Sequence, residues 1–419
     1  MNVHAERLRD DLLANGEFGR VGADEGHGRT VLTGSSDDRD AREYLVERMD
    51  ELGLDIRIDP VGNIAGRWIP DSVDTNAAPV AAGSHLDSVP RGGIFDGPLG
   101  VYAALESVRA MQLAGVEPDR PIDVVSFTEE EGGRFGTGLL GSSVASGKRS
   151  VDEALAFEDE SGTTLAEHLE AIGFRGTDRL DASDWDAWFE LHIEQSTTLE
   201  DAGAPVGIVT AITGLTNCGV TFVGEANHAG GQLMDGRTDA LVAAAEFVEQ
   251  VEHAAREVAA TESSFAVATV GEIDVEPGAR NVIPGEARLS VDIRDVDTAV
   301  MDELVDRARK AVARIERERE LDGNLERYRT TEPAHMNERC VRALRDASEQ
   351  RELKTVELPS GGGHDTMHVG RVTDVGMLFA PSRDGISHNP LEWTDWEDCA
   401  KCTQVLADAL AALSGGRSA

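Results

Sequence analysis

The feature that most constrains this chain is an alternation of short apolar runs with amphipathic stretches through its first half. "DAREYLVERMDELGL" reads as a helix closed by glycine, and "DIRIDPVGNIAGRWI" as a hairpin. "PVAAGSHLDS" is an apolar run ending at His85, "GPLGVYAALESVRAMQLAGV" a helix, and "PIDVVSFTEEEGG" a buried strand ending in three glutamates. Strands alternating with helices predict an α/β sheet. Sites in such sheets form at the carboxyl edges of the strands, and both His85 and the glutamate run fall there.

Residues 213–328 carry a different pattern. "LTNCGVTFVGEA" reads as a strand, "TDALVAAAEFVEQVEHAAREVAA" as a helix, "SSFAVATVGEIDVEP" and "EARLSVDIRD" as strands, and "TAVMDELVDRARKAVARIERERE" as a helix. That β-α-β-β-α order predicts a compact α+β unit. The α/β pattern then resumes in "RELKTVELPS", "VTDVGMLFAP" and a final helix. The expected organisation is a discontinuous catalytic domain, residues 1–212 and 329–419, interrupted by an inserted domain at 213–328.

Charge narrows the function classes. The 419 residues carry a net charge of -39. No basic stripe exists to neutralise phosphates, so nucleic acid is excluded as a partner. Only four lysines occur, Lys148, Lys310, Lys354 and Lys401. An acidic, hydrated surface of this kind suits a salt-rich interior, where ions screen self-repulsion. No run of eighteen apolar residues predicts a membrane span, and the charged start "MNVHAERLRDDLL" lacks the apolar region of a signal peptide. Cytoplasmic location is the expectation. The pair Cys399 and Cys402 lies in "WEDCAKCTQVLADALAAL", which reads as one helix, so both are expected to be ordinary buried helix positions.

Five stations then stand out: His85, Asp96, Glu130-Glu131, His192 and His388. Singly, each has an ordinary explanation: a partly buried histidine, a solvated acidic run, a turn. Together they place scarce histidines beside carboxylates at glycine- or strand-bounded positions, a donor mixture that suits zinc or manganese. Gly92, Gly93 and Gly97 would let the chain turn back within a short span, as a site joining Asp96 to His85 would require. Spacing alone does not prove a site, because the residues are scattered along the chain.

Longer motifs sharpen this. "GSHLDSVPRGGIFDGPLGV", "TEEEGGRF", "ELHIEQSTTLE", "ANHAG", "MDGRTDAL", "NVIPGEARLSVDIRD", "SGGGHDTM" and "SRDGISHNPLEW" occur in that order. In this set the chain resembles the amidase/hydantoinase/carbamoylase branch of the M20 peptidase-like zinc hydrolases. The resemblance implies a phosphorylase/hydrolase-like catalytic domain with a mixed sheet, and a ferredoxin-like inserted domain serving dimerisation and closure. It implies two divalent ions per subunit, zinc first, with manganese, cobalt or nickel as alternatives. His85 and His192 would bind one ion, Glu131 and His388 the other, and Asp96 would bridge them. Asp87 would accept a hydrogen bond from the His85 ring, and the Asp96–Gly97 peptide would be cis. Glu130 would be the general base, and His228 would stabilise the oxyanion in the other subunit of a homodimer. Asn281 and Arg294 would hold a substrate carboxylate, Gln195 the ureido or amide group, and Gly361 and Gly362 would offer backbone amides. Without the motif, Arg294 reads as a strand arginine paired with Asp292 or Asp295.

The expected activity is hydrolysis of a linear, non-peptide C–N bond in a small ureido or amide substrate bearing a carboxylate. N-carbamoyl-L-amino acids come first, yielding amino acid, CO2 and ammonia. Allantoate and β-ureidopropionate are alternatives, and a dipeptidase or aminoacylase is a more distant one. "LHIEQ" supplies a histidine where the peptidases carry an acid. "HAGGQLM" and "GGGHDTM" depart from the branch's usual "HAGTTPM" and "GAGHDAM", and both departures bear on the substrate rather than the metals.

Overall fold

The computed structural model describes residues 1–22, 26–70, 73 and 77–416. The chain divides into two compact units, Met1–Thr210 with Met336–Ala419, and Ala211–His335. The restart expected at 329 falls inside the strand Asp322–Thr331, which pairs within the second unit.

The first unit is built on a mixed sheet. Its centre is parallel: Ile122–Phe127, Val80–His85, Ala187–Ile193 and Asp374–Ala380 lie side by side in that order. Asp55–Ile58 and Ile64–Trp68 form the expected hairpin and extend one edge antiparallel. Val206–Ile212 pairs antiparallel on the other side of Asp374–Ala380. The central strands are almost wholly buried, so their sequences run apolar on both faces rather than alternating. The helix Pro98–Leu113 packs across three of them. It is apolar on nearly every side because the C-terminal helix Trp396–Leu413 covers it in turn. Cys399 and Cys402 are buried in that C-terminal helix, and burial raises both thiols above their ordinary pKa.

The second unit is a four-stranded antiparallel sheet in the order Asp322–Thr331, Gly214–Val223, Glu286–Asp295, Val267–Glu276. Helices Ala240–Thr261 and Thr298–Arg319 pack on it around Phe222, Phe247, Leu289, Met301 and Ile315. Asp322–Thr331 is a strand that the sequence pattern did not reveal. Its residues "DGNLERYRTT" are polar, and none is fully buried, so no apolar face marks it. Val267–Glu276 forms the other edge and leaves Val267 and Ile273 exposed. Leu241, Val242 and Val248 of the first helix are exposed as well. Among the described residues no helix is long and apolar enough to cross a membrane.

Candidate metal centre

Four parallel strands deliver the candidate residues at their carboxyl ends. His85 is the last residue of Val80–His85, and His192 sits next to the end of Ala187–Ile193. Glu130 and Glu131 follow Ile122–Phe127, and His388 follows Asp374–Ala380. Asp96 comes from the loop after His85, immediately before the helix Pro98–Leu113.

The geometry separates the two oxygens of Asp96. Oδ1 lies 3.0 Å from His192 Nε2 and 3.8 Å from His85 Nε2. Oδ2 lies 3.2 Å from His388 Nε2, which is itself 3.4 Å from Glu131 Oε2. Two donor clusters result, His85–Asp96–His192 and Asp96–Glu131–His388, each with its donor atoms within 4.8 Å of one another. The first is fully buried, while His388 is half exposed. Glu130 stands beside the first cluster, with Oε2 3.6 Å from His85 Nε2.

Both buried rings point the same nitrogen inward. His85 Nδ1 donates to the carbonyl of Asp87 at 3.0 Å, and His192 Nδ1 donates to the carbonyl of Ile193 at 3.0 Å. A carbonyl can only accept, so each Nδ1 keeps its hydrogen and Nε2 faces the centre. Asp87 takes the ring hydrogen as expected, and the structure adds which atom does so. Its main-chain oxygen, not its carboxylate, takes the ring hydrogen, and its Oδ1 stays 3.7 Å away. The carboxylate instead accepts the backbone amides of Glu130 at 3.2 Å and Glu131 at 3.1 Å.

The Asp96–Gly97 peptide corrects the expectation. The cis bond among the described residues is Glu276–Pro277, and Asp96–Gly97 is trans. The turn is made at Gly97 itself, with φ 84 and ψ -62. A Cβ there would stand 2.4 Å from the His85 ring, so only glycine fits. Three non-glycine residues around the centre, Glu129, Gln195 and His388, also have positive φ. Such conformations are uncommon outside glycine and cluster where the surrounding structure imposes them.

The electrostatics describe a site short of positive charge. Burial drives Glu130 well above the ordinary carboxylate range, reinforced by Asp365 and Glu131. Burial likewise lifts Glu131 to about 8, with Asp96 adding to it. Burial would lower His192, yet the Asp96 carboxylate overrides it and raises the ring to about 9. The hydrogen bond to Asp96 raises His388 to about 9. His85 Nε2 and Glu131 Oε1 are buried without a hydrogen-bond partner. One unpartnered inward nitrogen and one unpartnered carboxylate oxygen among crowded carboxyls fit a divalent cation, and the mixed nitrogen and oxygen donors fit zinc-like ions.

The expected substrate groups are placed less uniformly. Gln195 Nε2 donates to Asp96 Oδ2 and to Ser387 Oγ, both at 3.1 Å, so its amide nitrogen is engaged with the centre itself. The Gly362 amide donates to Ser360 Oγ at 3.2 Å, so it is turned inward rather than offered to a ligand, and Gly361 lies next to it. Ser360 Oγ in turn meets His364 Nε2, and the His364 ring packs edge-on against His192. In the second unit His228 is exposed and lies opposite Val282, next to Asn281. Arg294 is at the far end of the strand Glu286–Asp295, where its Nε donates to Asp292 Oδ1 at 2.8 Å. The strand ion pair read without the motif is thus present.

Glu129 plays the structural part expected of it, and two further contributors, Arg29 and Glu392, escaped the sequence reading. Glu129 accepts the amides of Arg134 and Phe135, both at 2.9 Å, and shapes the turn after the glutamates. Arg29 is fully buried and donates to the Leu86 carbonyl at 2.6 Å. Glu392 is buried behind Asp96. The motif "SHNPLEW" contains Glu392, and an acid set among leucine and tryptophan was the available signal.

Histidine and carboxylate donors gathered around one shared aspartate, at the carboxyl edge of a parallel sheet, are the centre of a metal-dependent hydrolase. The sequence profile of peptidase family M20/M25/M40 matches residues 81–412. The chain is 38% identical to an N-carbamoyl-L-amino acid amidohydrolase of Geobacillus stearothermophilus, covering 99% of this chain and 100% of that one. It is 34% identical to an allantoate amidohydrolase of Bacillus subtilis, over 94% of this chain and 95% of that one. A solved amidase of the hydantoinase/carbamoylase family from Burkholderia multivorans superposes with a TM-score of 0.91 at 34% identity, covering 98% of each chain. This chain belongs to peptidase family M20/M25/M40, in its amidase/hydantoinase/carbamoylase branch.

Proposed function

We propose that this protein hydrolyses N-carbamoyl-L-amino acids to the amino acid, CO2 and ammonia. The observation that carries the reading is the pair of donor clusters sharing Asp96, with the buried Glu130 carboxyl beside them. His85, Asp96 and His192 would hold one divalent ion, and Asp96, Glu131 and His388 a second, with zinc first and manganese, cobalt or nickel as alternatives. Bound there, such ions lower the pKa of a water and polarise the scissile carbonyl.

The protein's own groups do the rest. Glu130 takes a proton from the attacking water and gives it to the leaving nitrogen. Its place supports that role: the carboxyl is buried beside the first cluster, with Oε2 3.6 Å from His85 Nε2. Gln195, hydrogen-bonded to Asp96, orients the bridging carboxylate and presents its amide oxygen toward the ureido group. His228 serves the oxyanion, and Asn281 and Arg294 the substrate carboxylate. The exposed apolar residues on Val267–Glu276 and on the helix Ala240–Thr261 support pairing with a second copy, since an uncovered strand edge readily adds another strand.

The resemblance to an allantoate amidohydrolase supports a second reading, in which allantoate is the substrate. A hydrolysis panel decides, reading ammonia release for the ureido substrates and free amino acid for the dipeptides. N-carbamoyl amino acids, allantoate, β-ureidopropionate and dipeptides are compared with zinc, manganese or cobalt at high salt. Preferred release from N-carbamoyl-L-amino acids is expected. Preference for allantoate moves the assignment to the second reading, and dipeptide cleavage alone overturns both.

A further inference from the structure

Glu392 comes from the segment after His388, four residues beyond it, and its side chain reaches the loop that carries Asp96. Oε1 accepts the backbone amides of Phe95 at 3.0 Å and Asp96 at 3.1 Å. Oε2 is 3.1 Å from Ser387 Oγ, and that same hydroxyl is 2.9 Å from Asp96 Oδ2. One carboxylate thus holds the main chain of Asp96 and shares the Ser387 hydroxyl with the Asp96 side chain. It also ties the two segments that carry Asp96 and His388.

The loop is shaped around this contact. A Cβ on Gly93 would fall 1.9 Å from Glu392 Oε1, so any larger residue there has to displace this carboxylate. Glu392 is 1% exposed, which leaves no route for solvent to replace the hydrogen bonds it makes. The Ser387 hydroxyl has one hydrogen and two carboxylate oxygens within reach, while Gln195 Nε2 donates to its oxygen at 3.1 Å. This small network fixes which way the Asp96 carboxylate faces.

We infer that Glu392 is a positioning residue: its carboxylate sets the position of Asp96, and with it the spacing of the two donor clusters. The inference rests on the reading that these clusters hold divalent ions. Groups that orient metal ligands typically change metal affinity or activity by about 10–100-fold when removed.

The test measures zinc affinity and stoichiometry of the metal-stripped full-length protein by competition with a chromophoric chelator, alongside kcat and KM. Glu392→Ala is expected to weaken zinc binding by about 10–100-fold and to lower kcat more than it changes KM. Glu392→Gln keeps an oxygen for the Phe95 and Asp96 amides and is expected to stay within about threefold of the parent. Gly93→Ala, which displaces the carboxylate without removing it, should resemble Glu392→Ala. Should Glu392→Ala fail to fold, Glu392→Asp carries the same expectation, because it keeps the charge but shortens the arm. Parent-like zinc affinity in the alanine or aspartate variant overturns the inference, as does equal impairment in the glutamine variant. If the parent itself binds no zinc, the metal reading falls and takes the inference with it, an outcome distinct from the others.

Discussion

The ring of His85 gives its Nδ1 hydrogen to the main-chain oxygen of Asp87, two residues further along and 3.0 Å away. The Asp87 side chain is thereby released for another task, which is to hold the backbone amides of Glu130 and Glu131. Asp87→Ala should leave the His85 ring in place but strand two buried amides. The expected cost is about 1–3 kcal/mol for each amide left unpaired. Metal affinity should fall mainly through Glu131. Denaturant unfolding of the metal-free variant checks the first statement and zinc titration the second.

Glu130 and Glu131 are neighbours with different tasks, and substitution separates them. Glu130→Gln is expected to retain parent zinc content while kcat drops by about 10²–10⁴-fold, the usual range for removing a general base. Glu131→Gln should instead weaken zinc binding. Metal analysis of the two purified variants, together with ammonia release, distinguishes the roles. Activity of Glu130→Gln within tenfold of the parent would reassign the base.

Gly97 makes a prediction about shape alone. Alanine there meets both an unfavourable positive φ and the His85 ring. A backbone strained in this way costs on the order of 1–3 kcal/mol before the steric overlap is counted. Gly97→Ala should therefore lower the unfolding midpoint and disturb the His85 cluster. Gly53→Ala also has a positive φ but meets no neighbouring atom, so it should cost less.

Stability of the metal-free protein should fall as pH rises from 6.5 to about 9. His192 and His388 are raised from 6.5 to about 9, so the folded state holds protons that the unfolded chain releases. Their contribution is complete below pH 6.5 and lost as pH passes through about 9. Glu131, raised from 4.5 to about 8, and Asp87, raised from 3.8 to about 7, act in the same direction as their buried carboxyls are forced to ionise. Saturating zinc should suppress this decline, because the cation replaces the protons and binding releases them. Melting curves with and without zinc across this range provide the check. A metal-free melting temperature that rises with pH would contradict the account.

The sequence shows most of what positions the centre. Apolar runs ending at His85 and before Glu130 mark buried strands by composition, and the glycines around Asp96 mark the return of the loop. Three things stay hidden for physical reasons. Which atom of Asp87 meets the His85 ring depends on backbone direction, which no residue type reveals. Glu392 is one acid in a chain with 78 aspartates and glutamates, and only packing tells a buried one from a solvated one. The strand Asp322–Thr331 turns only Leu325 among its apolar residues toward the core, so its pairing with Gly214–Val223 leaves little periodic trace in the sequence.

The order of the parallel strands has a kinetic consequence. Asp374–Ala380 lies beside Ala187–Ile193, with the whole second unit between them in the chain. Closing so long a loop is slow and comes late, because the entropy is lost before the strands can gain their contacts. The His388 side of the centre is expected to complete when the last central strand docks, so that ions meet a chain already largely folded. Ions should leave the refolding rate nearly unchanged and act instead on the return path, slowing the escape of the native state.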